Sequence, residues 1–196
     1  MISLTKKERE VLLILCKDFS NLYNANSISK VLKISHVGAQ KIFKRLLKEN
    51  VVTDKRIGKS IIYRLNLSDS YVRELITFLL ADDANNFKRW KEEFKDLFKR
   101  NRIIMMFGSA IRNYSQASDI DMMIVVENRD INGVNEILKK KEEILPKKLH
   151  VIKLTHKDLL EHLKRRDKVV IDIAKNAVIL YGQEQYVETL KHVTSI

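Results

Sequence analysis

The sequence predicts an α+β protein built in two unlike parts, and three observations carry that expectation. Residues 1–70 hold 14 Lys+Arg against 6 Asp+Glu, a net of +8, whereas residues 71–196 hold 23 against 19, a net of +4. Apolar residues in the first part recur at helical spacing and then give way to two short β-type runs around Gly58. Beyond residue 100, apolar runs of buried-strand type, Ile103–Phe107 and Met122–Val126, alternate with helical patterning, as expected of a layered domain with a mixed sheet.

The whole chain of 196 residues carries 37 Lys+Arg and 25 Asp+Glu, a formal net charge of +12. Its 45% apolar content excludes an intrinsically disordered chain. No apolar run approaches the ~18 residues that a membrane span needs, so no membrane partner is expected. The N-terminus, with Lys6 and Lys7 after its apolar residues, does not have the order of a secretory signal. A lone cysteine, Cys16, has no intrachain partner and suits a reducing cytoplasm. The excess charge suggests a polyanionic partner, against the alternative of a lysine-rich solvated surface.

In chain order, Val11, Leu12, Leu15 and Phe19 form one helical face, started by Thr5 with Glu8 completing a capping box. A second short helix is expected over Ser27 to Leu32, capped by Asn26 or Ser27. After the turn Lys33-Ile34-Ser35, a third helix runs to about Glu49. Its inner face is Val37, Ile42, Phe43, Leu46 and Leu47; its outer face presents His36, Gln40, Lys41, Lys44 and Lys48. Residues 51–56 and 60–65 read as two strands around Ile57-Gly58-Lys59, where Gly58 can take a positive φ.

This order, helix, helix, turn, helix and basic hairpin, resembles the winged helix-turn-helix domains of prokaryotic and archaeal regulators over about residues 1–67. The resemblance rests on Ser35, Gln40-Lys41, Leu46, Asn50-Val51-Val52, Arg56-Ile57-Gly58-Lys59 and Tyr63-Arg64-Leu65. It implies double-stranded DNA as partner, with Ser35, His36, Gln40, Lys41 and Lys44 on a recognition helix and Arg56 and Lys59 on the wing. A recognition helix fits the major groove, where Gln40 can read adenine and Lys41 or Lys44 guanine or phosphate. Lys55, Arg56, Lys59 and Arg64 would set the wing against phosphates, which fix position without reading sequence. The alternative is a winged helix used only for protein contacts. Two half-sites would call for a homodimer.

No Gly-, Ser- or Pro-rich linker follows. Ser68 or Ser70 is expected to start a helix with Tyr71, Leu75, Phe78 and Leu79 on one face, breaking near Asp82-Asp83. A second helix, Ala84 to Arg100, would present Phe87, Trp90, Phe94, Leu97 and Phe98, an aromatic stripe of core or interface type. Residues 68–100 then form a helical connector and residues 101–196 a separate domain.

In that domain the first strand ends at Gly108-Ser109, and Ser118-Asp119-Ile120-Asp121 leads into the second. A glycine lets the backbone approach a phosphate, and Ser109 with the following helix start offers donors to it. Residues i and i+2 of a strand point to one side, so Asp119 and Asp121 converge, as an oxygen-ligated Mg²⁺ requires.

Phe107-Gly108-Ser109-Ala110-Ile111-Arg112 and Ser118-Asp119-Ile120-Asp121 resemble the motifs of the nucleotidyltransferase superfamily that includes DNA polymerase beta, over about residues 100–182. That resemblance implies a nucleotidyltransferase-like fold and an NTP as substrate or ligand. Gly108, Ser109, Arg112 and Ser118 would lie against the nucleotide, and Asp119 and Asp121 would be the catalytic Mg²⁺ ligands. The family places a third acid on a later strand. The corresponding run here, Lys147–Leu154, has none, and His150 stands about where that acid should be. Glu142, Glu143 and Asp158 flank it. His150 is open to two readings, base or structural residue. Thr155-His156-Lys157-Asp158 caps a helix from Leu159 to about Arg166, ending in the basic run Lys164-Arg165-Arg166. A helix and strand end at Val178-Ile179-Leu180-Tyr181-Gly182, and Gln183–Ile196 closes the chain as a helix.

Two functions follow from these expectations. One is a DNA-binding transcriptional regulator whose second domain binds nucleotide and Mg²⁺. The other is an active Mg²⁺-dependent nucleotidyltransferase moving NMP to a nucleic-acid, protein or small-molecule acceptor. The missing acid favours the first, and the intact Gly-Ser and Asp-x-Asp motifs favour the second.

Overall fold

In the structure, a computed structural model, residues 2–194 are described. Helix α1 (Lys6–Lys17) starts where Thr5 and Glu8 predict it: the Thr5 hydroxyl accepts from the Glu8 N–H, and the Glu8 carboxylate accepts from the Thr5 N–H at 2.7 Å. Val11, Leu12, Leu15 and Cys16 are buried, and burial pushes the Cys16 thiol up to about 12, so it stays protonated. Helix α2 (Ala25–Leu32) begins earlier than expected because Asn24, not Asn26 or Ser27, caps it in a reciprocal pair with Ser27. Lys33, left-handed at φ 52°, turns the chain into α3 (His36–Lys48), capped by Ser35.

Ala39, Phe43 and Leu46 form the buried face of α3. Val37, expected on that face, is 58% exposed; two positions before Ala39, it lies about 200° away around the helix. Strands β1 (Val52–Ile57) and β2 (Ser60–Leu65) pair antiparallel. Ile57 pairs with Ser60, so the tip is the two residues Gly58-Lys59, with Gly58 at φ 58°. Tyr63 stacks on Phe43, ring centroids 3.8 Å apart, and fixes the hairpin against α3.

Helix α4 (Ser70–Asn85) departs most from expectation. Asp69 caps it, in place of Ser68 or Ser70, and it buries Val72, Ile76, Leu79 and Leu80. Tyr71 and Phe78, expected inward, are 45% and 57% exposed. Asp82 and Asp83 do not break it, because they meet Arg9 (3.3 Å) and Lys17 (2.6 Å) of α1. The single helix expected over 84–100 is instead α5 (Lys88–Glu93) and a 3-10 turn, Lys95–Leu97, although Trp90, Phe94 and Leu97 are buried as anticipated. Phe87 starts α5 without any side-chain cap.

The remaining elements are β3 (Ile103–Phe107), α6 (Ser109–Arg112), β4 (Asp119–Val125), α7 (Ile131–Ile144), β5 (Lys148–Leu154), α8 (His156–Lys164), α9 (Lys168–Asn176), β6 (Val178–Tyr181) and α10 (Gln183–Thr194). Helix α8 begins at His156 because Thr155 and Asp158 form a capping box. Ser195 and Ile196, the end of the expected closing helix, lie outside the described residues. The sheet order is β5-β4-β3-β6, with β4 and β5 parallel and the other pairs antiparallel, a mixed sheet as expected.

Alternation along β3 and β4 gives this sheet two apolar faces. Ile104, Met106, Met122 and Ile124 pack with Trp90, Phe94, Leu97, Val134 and Leu138. Ile103, Met105, Met123 and Val125 belong to the same core as Val11, Phe43, Ile76 and Leu190. The core therefore crosses the sequence positions near 67 and 100. Asp18, at the end of α1, adds a polar tie: it is buried, accepts from the Tyr23 hydroxyl at 2.5 Å and meets Lys175 of α9 at 3.0 Å.

Candidate functional site

Strand β4 carries Asp119 and Asp121 at its start, between the end of β3 and the parallel strand β5. Asp121 pairs with Phe107 on one side and His150 on the other. The two-residue period turns both carboxylates the same way, and the β5 register brings His150 beside them. His150 Nδ1 lies 3.3 Å from Asp119 Oδ2 and 3.7 Å from Asp121 Oδ1. One ligand atom from each of the three residues falls within 4.8 Å of the others. Both aspartates are half-buried, whereas the His150 side chain is 61% exposed. Burial pushes the Asp121 carboxyl above its ordinary range, the Asp119 charge pushes it further, and His150 partly offsets both.

Gly108 has φ 77°, and a Cβ there would stand 2.1 Å from Asp121 Oδ2. The sequence suggests a glycine making room for phosphate; the structure shows one making room for a carboxylate as well. Ser109 opens α6, a helix of four residues against β3 and β4 whose preceding residue provides no side-chain cap. Arg112 ends α6 and is exposed, and Ser118 is exposed immediately before Asp119. Glu142 and Glu143 stand exposed on α7, outside the carboxylate group, and Asp158 is engaged in the α8 cap, where Thr155 holds its carboxyl below the ordinary range. None of the three flanking acids supplies the missing carboxylate.

A contribution the sequence does not signal comes from Lys147. Its ammonium donates to the Ala117 carbonyl and sits 4.8 Å from the Tyr114 ring centre, while the Arg89 guanidinium sits 4.2 Å from that ring. These contacts pin the loop that delivers Asp119. The Lys147–Ala117 bond joins residues 30 positions apart, beyond any local spacing rule.

In the N-terminal part, His36, Gln40, Lys41 and Lys44 are all exposed on α3. The Ser35 hydroxyl accepts from the Gly38 N–H at 3.0 Å and serves as the helix cap. His36, Gln40 and Lys59 line one groove with Asn24, Asn26 and Tyr63, so the recognition-helix residues and the wing tip meet there. The hairpin pleat divides the wing's cations. Arg56, paired with Ile61, shares the Tyr63 face toward α3. Lys55 and Arg64 are on the opposite face, lining a cleft with Ile62 and Thr194. The four wing cations therefore do not act as one surface.

Residues 92–183 match the nucleotidyltransferase family of polymerase beta. Their mixed sheet carries the Asp pair at the head of β4 and the Gly-Ser turn at the end of β3, and they follow three helices and a β-hairpin in the order expected of a winged helix-turn-helix unit. None of the curated proteins matches the chain. Among solved structures it is similar to a mutant of ZitR from Lactococcus lactis, at 15% identity and TM-score 0.38 over 48% of this chain and 62% of that one. Another ZitR mutant, in complex with DNA, matches at 17% identity and TM-score 0.36 over 49% and 66%. AdcR, the adhesin competence repressor from Streptococcus pyogenes, matches at 12% identity and TM-score 0.34 over 72% and 80%. The chain thus spans less than two thirds of the first of these structures. Among the described residues, no helix is long and apolar enough to cross a membrane.

Proposed function

We propose that this chain is a DNA-binding transcriptional regulator whose nucleotidyltransferase domain binds a nucleotide together with a divalent cation. The observation that carries the DNA-binding part is the groove where His36 and Gln40 of α3 meet Lys59 of the wing. Around it, Lys41, Lys44 and Arg56 are exposed and no carboxylate pairs with them among the described residues. In this reading α3 enters the major groove, Gln40 contacts a base edge, and Lys41, Lys44, Arg56 and Lys59 neutralise phosphates. Ser35 acts through its cap, setting the start of α3. The division of labour follows residues 1–67 for DNA, 68–100 as connector and 101–196 for nucleotide. A homodimer in the cytoplasm would present two recognition helices to two half-sites.

Titrating fluorescent duplex DNA at several salt concentrations tests this reading. Affinity should fall steeply with salt, because each neutralised phosphate releases counterions. A flat response, or no loss on replacing Lys44 and Arg56 by glutamine, overturns it.

At the second site Gly108, Ser109, Arg112 and Ser118 take the phosphates, and Asp119 and Asp121 hold the cation, Mg²⁺ on the family's pattern. A cation bound there would neutralise the triphosphate and polarise the phosphoryl group. The two carboxylates fit such an ion, and the space at Gly108 lets Asp121 remain in place. That fit favours a second reading, in which the domain transfers NMP from an NTP. His150 in the third position weighs against it, since an imidazole changes both the charge and the donor type of the site. Incubation with each labelled NTP and Mg²⁺ separates the readings: transfer that Asp119→Ala abolishes establishes the enzyme, and nucleotide binding without transfer establishes the sensor.

A further inference from the structure

We infer that His150 is a nitrogen ligand of the cation site and shifts its preference from Mg²⁺ toward a later first-row divalent ion of the Zn²⁺ or Co²⁺ kind. The inference rests on the proposed reading that Asp119 and Asp121 hold a cation.

Its basis is the register of β4 with β5. Asp121 and His150 are direct partners in a parallel pair, so the imidazole belongs to the same row as the carboxylates by backbone geometry. Nδ1 is the ring atom turned toward them, at 3.3 Å and 3.7 Å from one oxygen of each. One ligand atom of each residue falls within 4.8 Å of the other two, a separation one ion can close by small side-chain movements. His150 has no other recorded partner among the described residues, in contrast to His156, whose Nε2 lies 2.9 Å from the Asn101 carbonyl, and His162, which faces Asp167.

The two carboxylates suit Mg²⁺, but the third donor, an imidazole, does not. Mg²⁺ demands near-octahedral oxygen and keeps its water reluctantly. Imidazole suits Zn²⁺ and its neighbours, and affinity at mixed nitrogen and oxygen sites rises from Mn²⁺ toward Cu²⁺. Exchanging the family's third carboxylate for neutral imidazole also removes one negative charge, which costs a hard ion most. Three protein ligands leave a fourth position open, the arrangement of zinc sites that take an exogenous ligand. The exposed side of the His150 ring leaves that position accessible to a phosphate oxygen.

The test uses the full-length protein, stripped with chelator and titrated calorimetrically with Mg²⁺, Zn²⁺ and Co²⁺ in the absence of nucleotide. The visible spectrum of the Co²⁺ form reports nitrogen ligation directly. The ratio of Zn²⁺ to Mg²⁺ affinity in wild type should fall by about 10-fold or more in His150→Asp, the scale on which a metal site responds to its ligand environment. Mg²⁺ should itself bind more tightly to that variant. His150→Ala should lower Zn²⁺ affinity, leave Mg²⁺ nearly unchanged and alter the Co²⁺ spectrum. Circular dichroism checks the fold of each variant, and the exposure of His150 favours their folding.

Two outcomes overturn the inference and are distinguishable. If ions bind and Asp121→Asn abolishes binding, but His150→Asp leaves the affinity ratio and the Co²⁺ spectrum unchanged, His150 is only a neighbouring charge and the cation reading stands. If no ion binds wild type, the cation reading falls and the inference with it.

Discussion

The α3 face and the carboxylate cluster are built in opposite ways. On α3 and the wing, Gln40, Lys41, Lys44, Arg56 and Lys59 are exposed and spread over a stiff scaffold, with Phe43 and Tyr63 stacked beneath. At the head of β4, three side chains share a region 4.8 Å across, and one of them presses against the backbone at Gly108. Dispersed exposed contacts are expected to fail gradually, each loss removing its own increment. A crowded cluster is expected to fail in one step, because its members set one another's position and charge.

The largest expected effect breaks the scaffold. Phe43→Ala removes a fully buried ring from the common core and should destabilise the protein by about 3–5 kcal/mol. Urea unfolding would measure it, and a loss below about 1 kcal/mol would show that the α3 platform does not depend on this stack.

Next comes Gly108→Ala. It places a Cβ 2.1 Å from the Asp121 carboxylate at a positive φ, and strain of about 1–3 kcal/mol is expected. The melting temperature should fall, and cation affinity should fall with it if the cluster is as crowded as described. A variant that melts normally and binds ions normally would refute the one-step picture.

Smaller effects sharpen the other side. Lys44→Gln and Arg56→Gln should each reduce the slope of log affinity against log salt by about 0.9 with little change in stability. Arg64→Gln, on the far side of the hairpin pleat, should leave that slope unchanged. Equal effects from Arg56 and Arg64 would contradict the division of the wing into two faces.

The smallest effect concerns pH. The folded protein holds the Asp121 carboxyl above its ordinary range, so it binds a proton more readily than the unfolded chain does. From the ordinary carboxyl range up through the raised folded value, without divalent cation, stability falls as pH rises. Asp121→Asn should erase this slope and slightly raise the melting temperature near neutrality while abolishing cation binding. Melting curves from pH 4 to 8 would detect it.

What could be read from the sequence follows the range of the interaction concerned. The Thr5–Glu8 box and the Gly58 tip are signals within a few residues, and both occur where expected. The Gly108-Ser109 turn and the Asp119–Asp121 pair are equally local. Helix α4 departs from its pattern because Tyr71 and Phe78 are apolar by type, yet the core selects Val72, Ile76 and Leu80 one position away. Its continuation past Asp82 depends on Arg9 and Lys17, more than 60 residues earlier. Helix α7 gave no expectation because only Val134 and Leu138 are buried in it, among lysines that include Lys141, paired with Glu93 and Asp96. His150 could be placed near the acids from strand order, but its distances required the β4–β5 register.

The sheet that carries the carboxylates has its other apolar face in the core that supports α3. Cutting the chain near residue 67 would take α1 away from α4 and α9, against which it packs, and would break the Asp18–Lys175 pair. Neither piece could then be grafted onto a foreign protein as a ready-made part without repacking that surface. The two parts are consequently bound to one ancestry: a lineage that discards the second must rebuild the cover of α1.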